Sequence, residues 1–191
     1  MPDSVMNIVG LDYAITSNGA VISQCGKTVH RSLILPDDVL KILGAVRNDD
    51  VILEGFIDGF TYADVRYVHR PLDYGCEPEY FEYTRSCHGK IVDMRSFLSK
   101  HRNELDLISI ISTDEKLRNR LWSSIEKACN SVEITTSTDH FVEIMSAEAS
   151  KAKALLRLCD FLNIGMENVC ACGNADNDAD MIAESGLGAA V

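Results

Sequence analysis

The sequence is short of positive charge. Lys and Arg number 18 against 29 Asp and Glu, a formal net charge of −11. That balance opposes non-specific binding to nucleic acid, whose phosphates need basic partners. It leaves anionic substrates open, because a bound cation can invert the local field. No apolar run approaches the roughly 20 residues that span a bilayer as a helix, so no membrane partner is expected. There is no C-x-x-C pair, and the seven cysteines form an odd set with no signal peptide expected before them. Reduced thiols in a cytoplasmic protein follow from that. Internal repeats and low-complexity tracts are also missing.

What is present suits a folded α/β protein. The chain has 191 residues, 46% hydrophobic and 25% charged, enough for a packed core. Tyr13 to Thr16 reads as a strand, Ser17-Asn18-Gly19 as a turn, and Val21 to Ser23 as a returning strand that Lys27 to Leu35 can join. Pro36-Asp37-Asp38 starts a helix with Val39, Leu40, Leu43 and Val46 on one face. Asp58-Gly59 between two apolar runs predicts a hairpin. Residues 64–90 crowd five aromatics with Pro71, Gly75 and Pro78, and predict one short helix among loops. Asp93 to His101 predicts a helix, and LDLISIIS (105–112) a strand buried on both faces. Thr113-Asp114 caps a helix to Cys129. Strands follow at Glu133 to Thr136 and Phe141 to Met145. Ser150 caps a helix to Asn163, with Leu155, Leu158, Phe161 and Leu162 inward and Gly165 as its C-cap. Asn168 to Cys172 is expected as a buried strand carrying Cys170 and Cys172 on one apolar face. A helix over 177–184 and a strand from Leu187 complete a strand–helix–strand–helix–strand run, the pattern of a parallel sheet.

The loop GNADND, residues 173–178, leaves a strand and opens a helix, where ligands bind in open α/β sheets. Three readings compete. Asp176, Asn177 or Asp178 can cap the helix. An EF-hand calcium loop fails, because counting from Asn174 the sixth residue is Ala179 rather than glycine and the twelfth is Ser185 rather than glutamate. The third is a magnesium site for phosphoryl chemistry. ASK at 149–151 places a lysine at a helix start, able to bind phosphate as a point charge, and ITSNGA at 15–20 ends a strand in a Ser-Asn-Gly turn.

Together ITSNGA, EIMSAEASK (143–151) and GNADNDADM (173–181), followed by SGLGAA, resemble the haloacid dehalogenase (HAD) superfamily in its Cof-type, subclass IIB branch. Order and spacing agree from about residue 10 to Val191. The resemblance implies an α/β fold: a partial Rossmann-like core (1–21 and 139–191) bearing an inserted α+β C2-type cap (22–138). It implies magnesium-dependent hydrolysis of a small phosphorylated metabolite of sugar-phosphate type. Lys151 matches the catalytic lysine. Asn18, Gly19 and Asn177 match phosphate- or substrate-binding positions, and Asn174 and Asp178 match the metal loop. Substrate choice is expected among the tyrosines of 62–83.

Two departures qualify that reading. The family opens on D-x-D-G-T and then T-G-R, and no D-x-D precedes residue 20; MPDSV looks like the stretch after T-G-R. Truncation at both ends, a poorly stable core, weak or absent Mg²⁺ binding and inactivity of this chain alone are therefore expected. Asn174 stands where the family has an acidic ligand, and its amide brings no charge to Mg²⁺. The rival is a non-catalytic protein, either a decayed fragment or a binding module built on the cap.

Overall fold

The computed structural model of the chain describes residues 10–191. The MPDSV stretch and the residues from Asn7 to Val9 lie outside them.

Three strands, β1 (Tyr13–Thr16), β2 (Val21–Gln24) and β3 (Lys27–Arg31), form an antiparallel sheet. Ser17, Asn18 and Gly19 join β1 to β2 with φ of 52°, 50° and 96°. Cys25 and Gly26 join β2 to β3 with φ of 47° and 76°. Positive φ at both central residues matches the twist of a two-residue hairpin.

Helix α1 (Pro36–Ala45) follows. Val39, Ile42 and Val46 are fully buried, whereas Leu40, expected on that face, is 46% exposed. One step along a helix turns the side chain by about 100°, so Leu40 cannot share the stripe that Val39 begins.

The second sheet has six strands: β4 (Ile52–Ile57), β5 (Phe60–Asp64), β6 (Gly89–Ile91), β7 (Leu107–Ile111), β8 (Val132–Thr135) and β9 (Phe141–Ser146). Their order is β6-β5-β4-β7-β9-β8. The predicted hairpin joins β4 to β5, with φ of 53° at Asp58 and 75° at Gly59. Residues 64–90 hold two helices rather than one, α2 (Val65–His69) and α3 (Phe81–Cys87). Pro71 and Pro78 each open a separate helical turn between them, because proline suits a first turn and ends a preceding helix. Helices α4 (Met94–Lys100) and α5 (Glu115–Ala128) cover one sheet face together with α1. There Leu53, Ile108, Ile110, Val142 and Ile144 meet Leu98, Leu121 and Ile125, each contributing roughly 1.5–3 kcal/mol of burial.

The third sheet is a parallel pair, β10 (Cys170–Gly173) and β11 (Leu187–Ala190), packed with α6 (Lys151–Leu162) and α7 (Ala179–Glu184). Strand β9 does not begin the parallel run that the sequence predicts. It pairs antiparallel with β7 and β8, burying Val142 and Ile144 in the larger core. The C-cap of α6 is Asn163 in the left-handed region, not Gly165, which opens the next turn; asparagine tolerates that conformation. Ala152, Ala154 and Cys159 form the buried face of α6, while Phe161 is 65% exposed, its ring centroid 6.2 Å from that of Tyr13. Cys170 and Cys172 are exposed and Ala171 between them is buried, so the covered face of β10 is the opposite of the expected one. With alternating side chains, one strand face carries both thiols or neither. No helix among the described residues is long and apolar enough to cross a membrane.

Candidate functional site

Ser150 precedes α6, and its Oγ accepts the Lys153 N–H at 3.1 Å, which fixes the first turn. Lys151 is the first helical residue. Its Nζ donates to Asp178 Oδ1 at 2.5 Å and to Asn177 Oδ1 at 3.0 Å. Asn177 Nδ2 donates to Asn18 Oδ1 at 3.3 Å, which ties the C-terminal loop to the turn after β1. Residues from three distant stretches thus converge at one helix start.

Asp178 is 5% exposed, and both of its oxygens are engaged. Oδ1 takes the lysine; Oδ2 accepts the N–H groups of Asn174 at 3.1 Å and Ala175 at 3.2 Å. Burial alone would raise its pKa. The Lys151 bond and the two backbone N–H groups outweigh burial and hold the carboxyl below the ordinary value. Gly173 has no positive φ; its role is spatial, because a β-carbon there would overlap the Asp178 side chain. Gly19 is similar: a β-carbon would overlap the carbonyl of Ser150, so the turn after β1 rests directly on the start of α6.

Beside these groups lies a cavity of about 330 Å³ lined by Ile15 to Gly19, Lys151 and Met181. The Ser17 Oγ is buried there without a hydrogen-bond partner among the described residues. An ammonium with a third N–H to spare and an unpartnered hydroxyl can hold a tetrahedral oxyanion.

A magnesium ion is a poorer fit. Asn174 offers a neutral, exposed amide, and Asp178 is already committed to one ammonium and two N–H groups. No group of three or more His, Cys, Asp or Glu residues is placed to hold a metal among the described residues. Mg²⁺ gives up water reluctantly and relies on anionic oxygens. The residues present do not build a Mg²⁺ site by themselves.

Sequence reasoning missed a polar row beneath the six-stranded sheet. Glu54 pairs with Ser109, and Ser109 with Glu143, across β4, β7 and β9. The signal was one polar letter inside each apolar strand, ILEGFI, LISII and FVEIMS. Burial pushes the Glu143 carboxyl up and the Glu54 charge adds to that; the side chains of Asn18 and Ser137 and the charge of Lys151 oppose it. Of the tyrosines expected to matter, Tyr67, Tyr80 and Tyr83 line a second cavity of about 330 Å³ next to Glu54. Tyr62 instead stacks on Phe97, with ring centroids 5.0 Å apart.

Known proteins resemble the chain in sequence and in fold. The chain is 37% identical over 78 residues to 5-amino-6-(5-phospho-D-ribitylamino)uracil phosphatase of Bacillus subtilis, a match covering 41% of this chain and 31% of the relative. It is 37% identical over 70 residues to the phosphatase YwpJ of the same organism, covering 37% of this chain and 24% of that one. These matches span under a third of the curated relatives' length. A haloacid dehalogenase-like hydrolase of B. subtilis superposes with a TM-score of 0.77 at 22% identity, over 97% of this chain and 72% of that one. A subclass IIB sugar phosphatase superposes with a TM-score of 0.76 at 15% identity, over 98% and 67%. At such identities the likeness concerns the fold. The family model described as haloacid dehalogenase-like hydrolase matches residues 3–191, and the chain belongs to that family.

Proposed function

We propose that this chain carries the phosphate-holding side of a hydrolase for small, sugar-phosphate-like esters. The observation that supports it is the Lys151 ammonium, fixed by Asp178 and Asn177 at the mouth of the cavity that Ser17, Asn18 and Gly19 close. Both curated relatives are named as phosphatases, one of them for a phosphorylated ribityl compound, which points the same way. Lys151 supplies the charge that neutralises a phosphoryl group, and Asn18 and Asn177 orient the amides around it. In this reading the six-stranded lobe is the cap over that site. Seven unpaired cysteines suit a reducing compartment such as the cytoplasm.

The same reading assigns no turnover to these residues alone. Phosphoryl transfer to a carboxylate needs a nucleophilic aspartate facing the lysine, and Asp178 is spent on holding Lys151. Mg²⁺ dependence would need carboxylates beyond that of Asp178, because Asn174 offers only a neutral amide. The test is calorimetric. Inorganic phosphate should bind the wild-type chain and fail to bind Lys151→Ala, while p-nitrophenyl phosphate with MgCl₂ stays at background. Equal phosphate affinity in the two proteins would refute the assignment of Lys151. A non-catalytic binding role is the second reading, and Asn174 favours it, because an uncharged residue there weakens metal-assisted chemistry.

A further inference from the structure

The chain passes twice between the lobe of α6 and the six-stranded sheet. Residues 32–35 link β3 to α1, and residues 147–150 link β9 to α6. Each link carries one wall of the phosphate site. The Ser32 N–H donates to the Ala20 carbonyl at 2.8 Å, directly after Asn18-Gly19. Ser150 lies against Gly19 and precedes Lys151. Arg157 of α6 joins the two links. Its Nη1 donates to Ser32 Oγ at 3.1 Å and to the Glu148 carbonyl at 2.8 Å. Its Nη2 lies 3.2 Å from Glu148 Oε2. Glu148 is exposed, so that ion pair adds little; the hold lies in buried Ser32 and in the Glu148 carbonyl.

The same Nη1 faces His30 Nε2 at 3.3 Å, and the Ser32 hydroxyl lies 3.1 Å from that nitrogen. A guanidinium only donates, so Nε2 must be the unprotonated, accepting nitrogen of a neutral ring. A proton there would set two donors and two positive charges against each other. Burial, and then the Arg157 charge, hold His30 below its ordinary value of about 6.5. No other charge offsets this. Ile22 is the β2 residue opposite His30. On its own strand Arg31 is turned to Asp106 and Asp58. One turn before Arg157, Lys153 is turned to the Ala147 carbonyl and Glu133. From the second link, Glu148 meets Arg157.

We infer that Arg157 is a positioning residue for the phosphate site, tying both links to α6, and that protonation of His30 releases it. The inference rests on the phosphate site proposed above. Arg157 lies six residues beyond Lys151, about 9 Å along the helix, and touches no phosphate. It acts through the links: with Ser32 and Glu148 held together, the turn of Asn18 and the helix start of Lys151 keep their spacing. The sign with pH follows. The released chain binds the His30 proton more readily than the tied one. The tie is therefore at full strength above about pH 6.5 and weakens as pH falls through the lower value of the tied state.

The experiment is titration calorimetry of the 191-residue chain with inorganic phosphate at pH 7.5 and pH 5.5. Phosphate changes its own charge over that range, so the ratio of the two affinities is compared between proteins. In His30→Gln the amide oxygen can accept from Arg157 at both pH values, and this variant reports the ratio due to phosphate and to the other histidines. The wild-type ratio should exceed it at least fivefold. Arg157→Ala should bind at least fivefold more weakly than wild type at pH 7.5 and should show the ratio of His30→Gln. Equal ratios in wild type and His30→Gln overturn the inference alone. So does a folded Arg157→Ala with wild-type affinity or the wild-type ratio. If Arg157→Ala loses its cooperative melt, the ratios of wild type and His30→Gln decide by themselves. A wild type that binds no phosphate at pH 7.5 overturns the phosphate site and the inference together.

Discussion

Gly19 lies against the carbonyl of Ser150 so closely that the turn after β1 and the first turn of α6 leave no room for a β-carbon between them. This contact sets Asn18 beside Asn177 and keeps Lys151 facing the cavity. Gly19→Ala should therefore cost roughly 3 kcal/mol or more, from the left-handed backbone and the overlap together. Gly26→Ala meets open space at φ 76° and should cost only about 1 kcal/mol. Urea unfolding of both variants checks this; equal losses would show that the overlap relaxes freely.

The Lys151–Asp178 pair gives stability a sign with pH. The Asp178 carboxyl is held below its ordinary value, so its contribution is fully present above the unfolded pKa of about 3.9 and is lost as pH falls through the lower folded value. Asp178→Asn removes the charge that anchors Lys151 and should cost about 2 kcal/mol at pH 7. The difference from wild type should shrink below pH 4. A gap in melting temperature that stays constant from pH 7 to pH 3 would contradict the assignment.

Glu143 carries the opposite sign. Burial raises its pKa, so the folded chain binds the proton more readily than the unfolded one. Stability is lost as pH rises from the unfolded value of about 4.3 through the raised folded value, and it stays lost above. Glu143→Gln should accordingly raise the melting temperature at pH 7 and leave it nearly unchanged at pH 4. Thermal melts at the two pH values decide; a lower melting temperature at pH 7 would mean that the carboxylate is well partnered after all.

The loop over 173–178 invites a gain-of-binding test. Wild type should show a melting temperature shift below about 1 °C in 10 mM MgCl₂. Asn174→Asp places a second carboxylate beside Asp178, and even a millimolar site would raise the melting temperature by about 3–5 °C. Matching shifts in the two proteins would show that residue 174 is not what limits the site.

Thiol accessibility tests the exposed face of β10. Cys25, Cys87, Cys170 and Cys172 are exposed, while Cys129 and Cys159 are buried. Burial raises the pKa of both buried thiols, which slows them further. In the native chain Ellman's reagent should modify the exposed four quickly and Cys129 and Cys159 only on unfolding. Protection of Cys170 and Cys172 in Cys25→Ser/Cys87→Ser would restore the buried strand that the sequence predicts.

The sequence by itself determined the local elements. Asp58-Gly59 dictates a hairpin, Ser150 and Asp114 cap their helices, and the motifs that carry the family resemblance hold Asn18, Lys151 and Asn177, which the fold brings together. Propensity, capping and turn geometry act over a few residues, and a sequence records them directly. Tertiary structure decided the rest. It placed β9 between β7 and β8, because the apolar face of Val142 and Ile144 is buried there by α1, α4 and α5 rather than in a parallel run. It turned Phe161, Cys170 and Cys172 outward, since the apolar pattern of a segment does not say which face finds a cover. And it lined up Glu54, Ser109 and Glu143, three single letters 55 and 34 positions apart, through strand register, which exists only once non-local hydrogen bonds form.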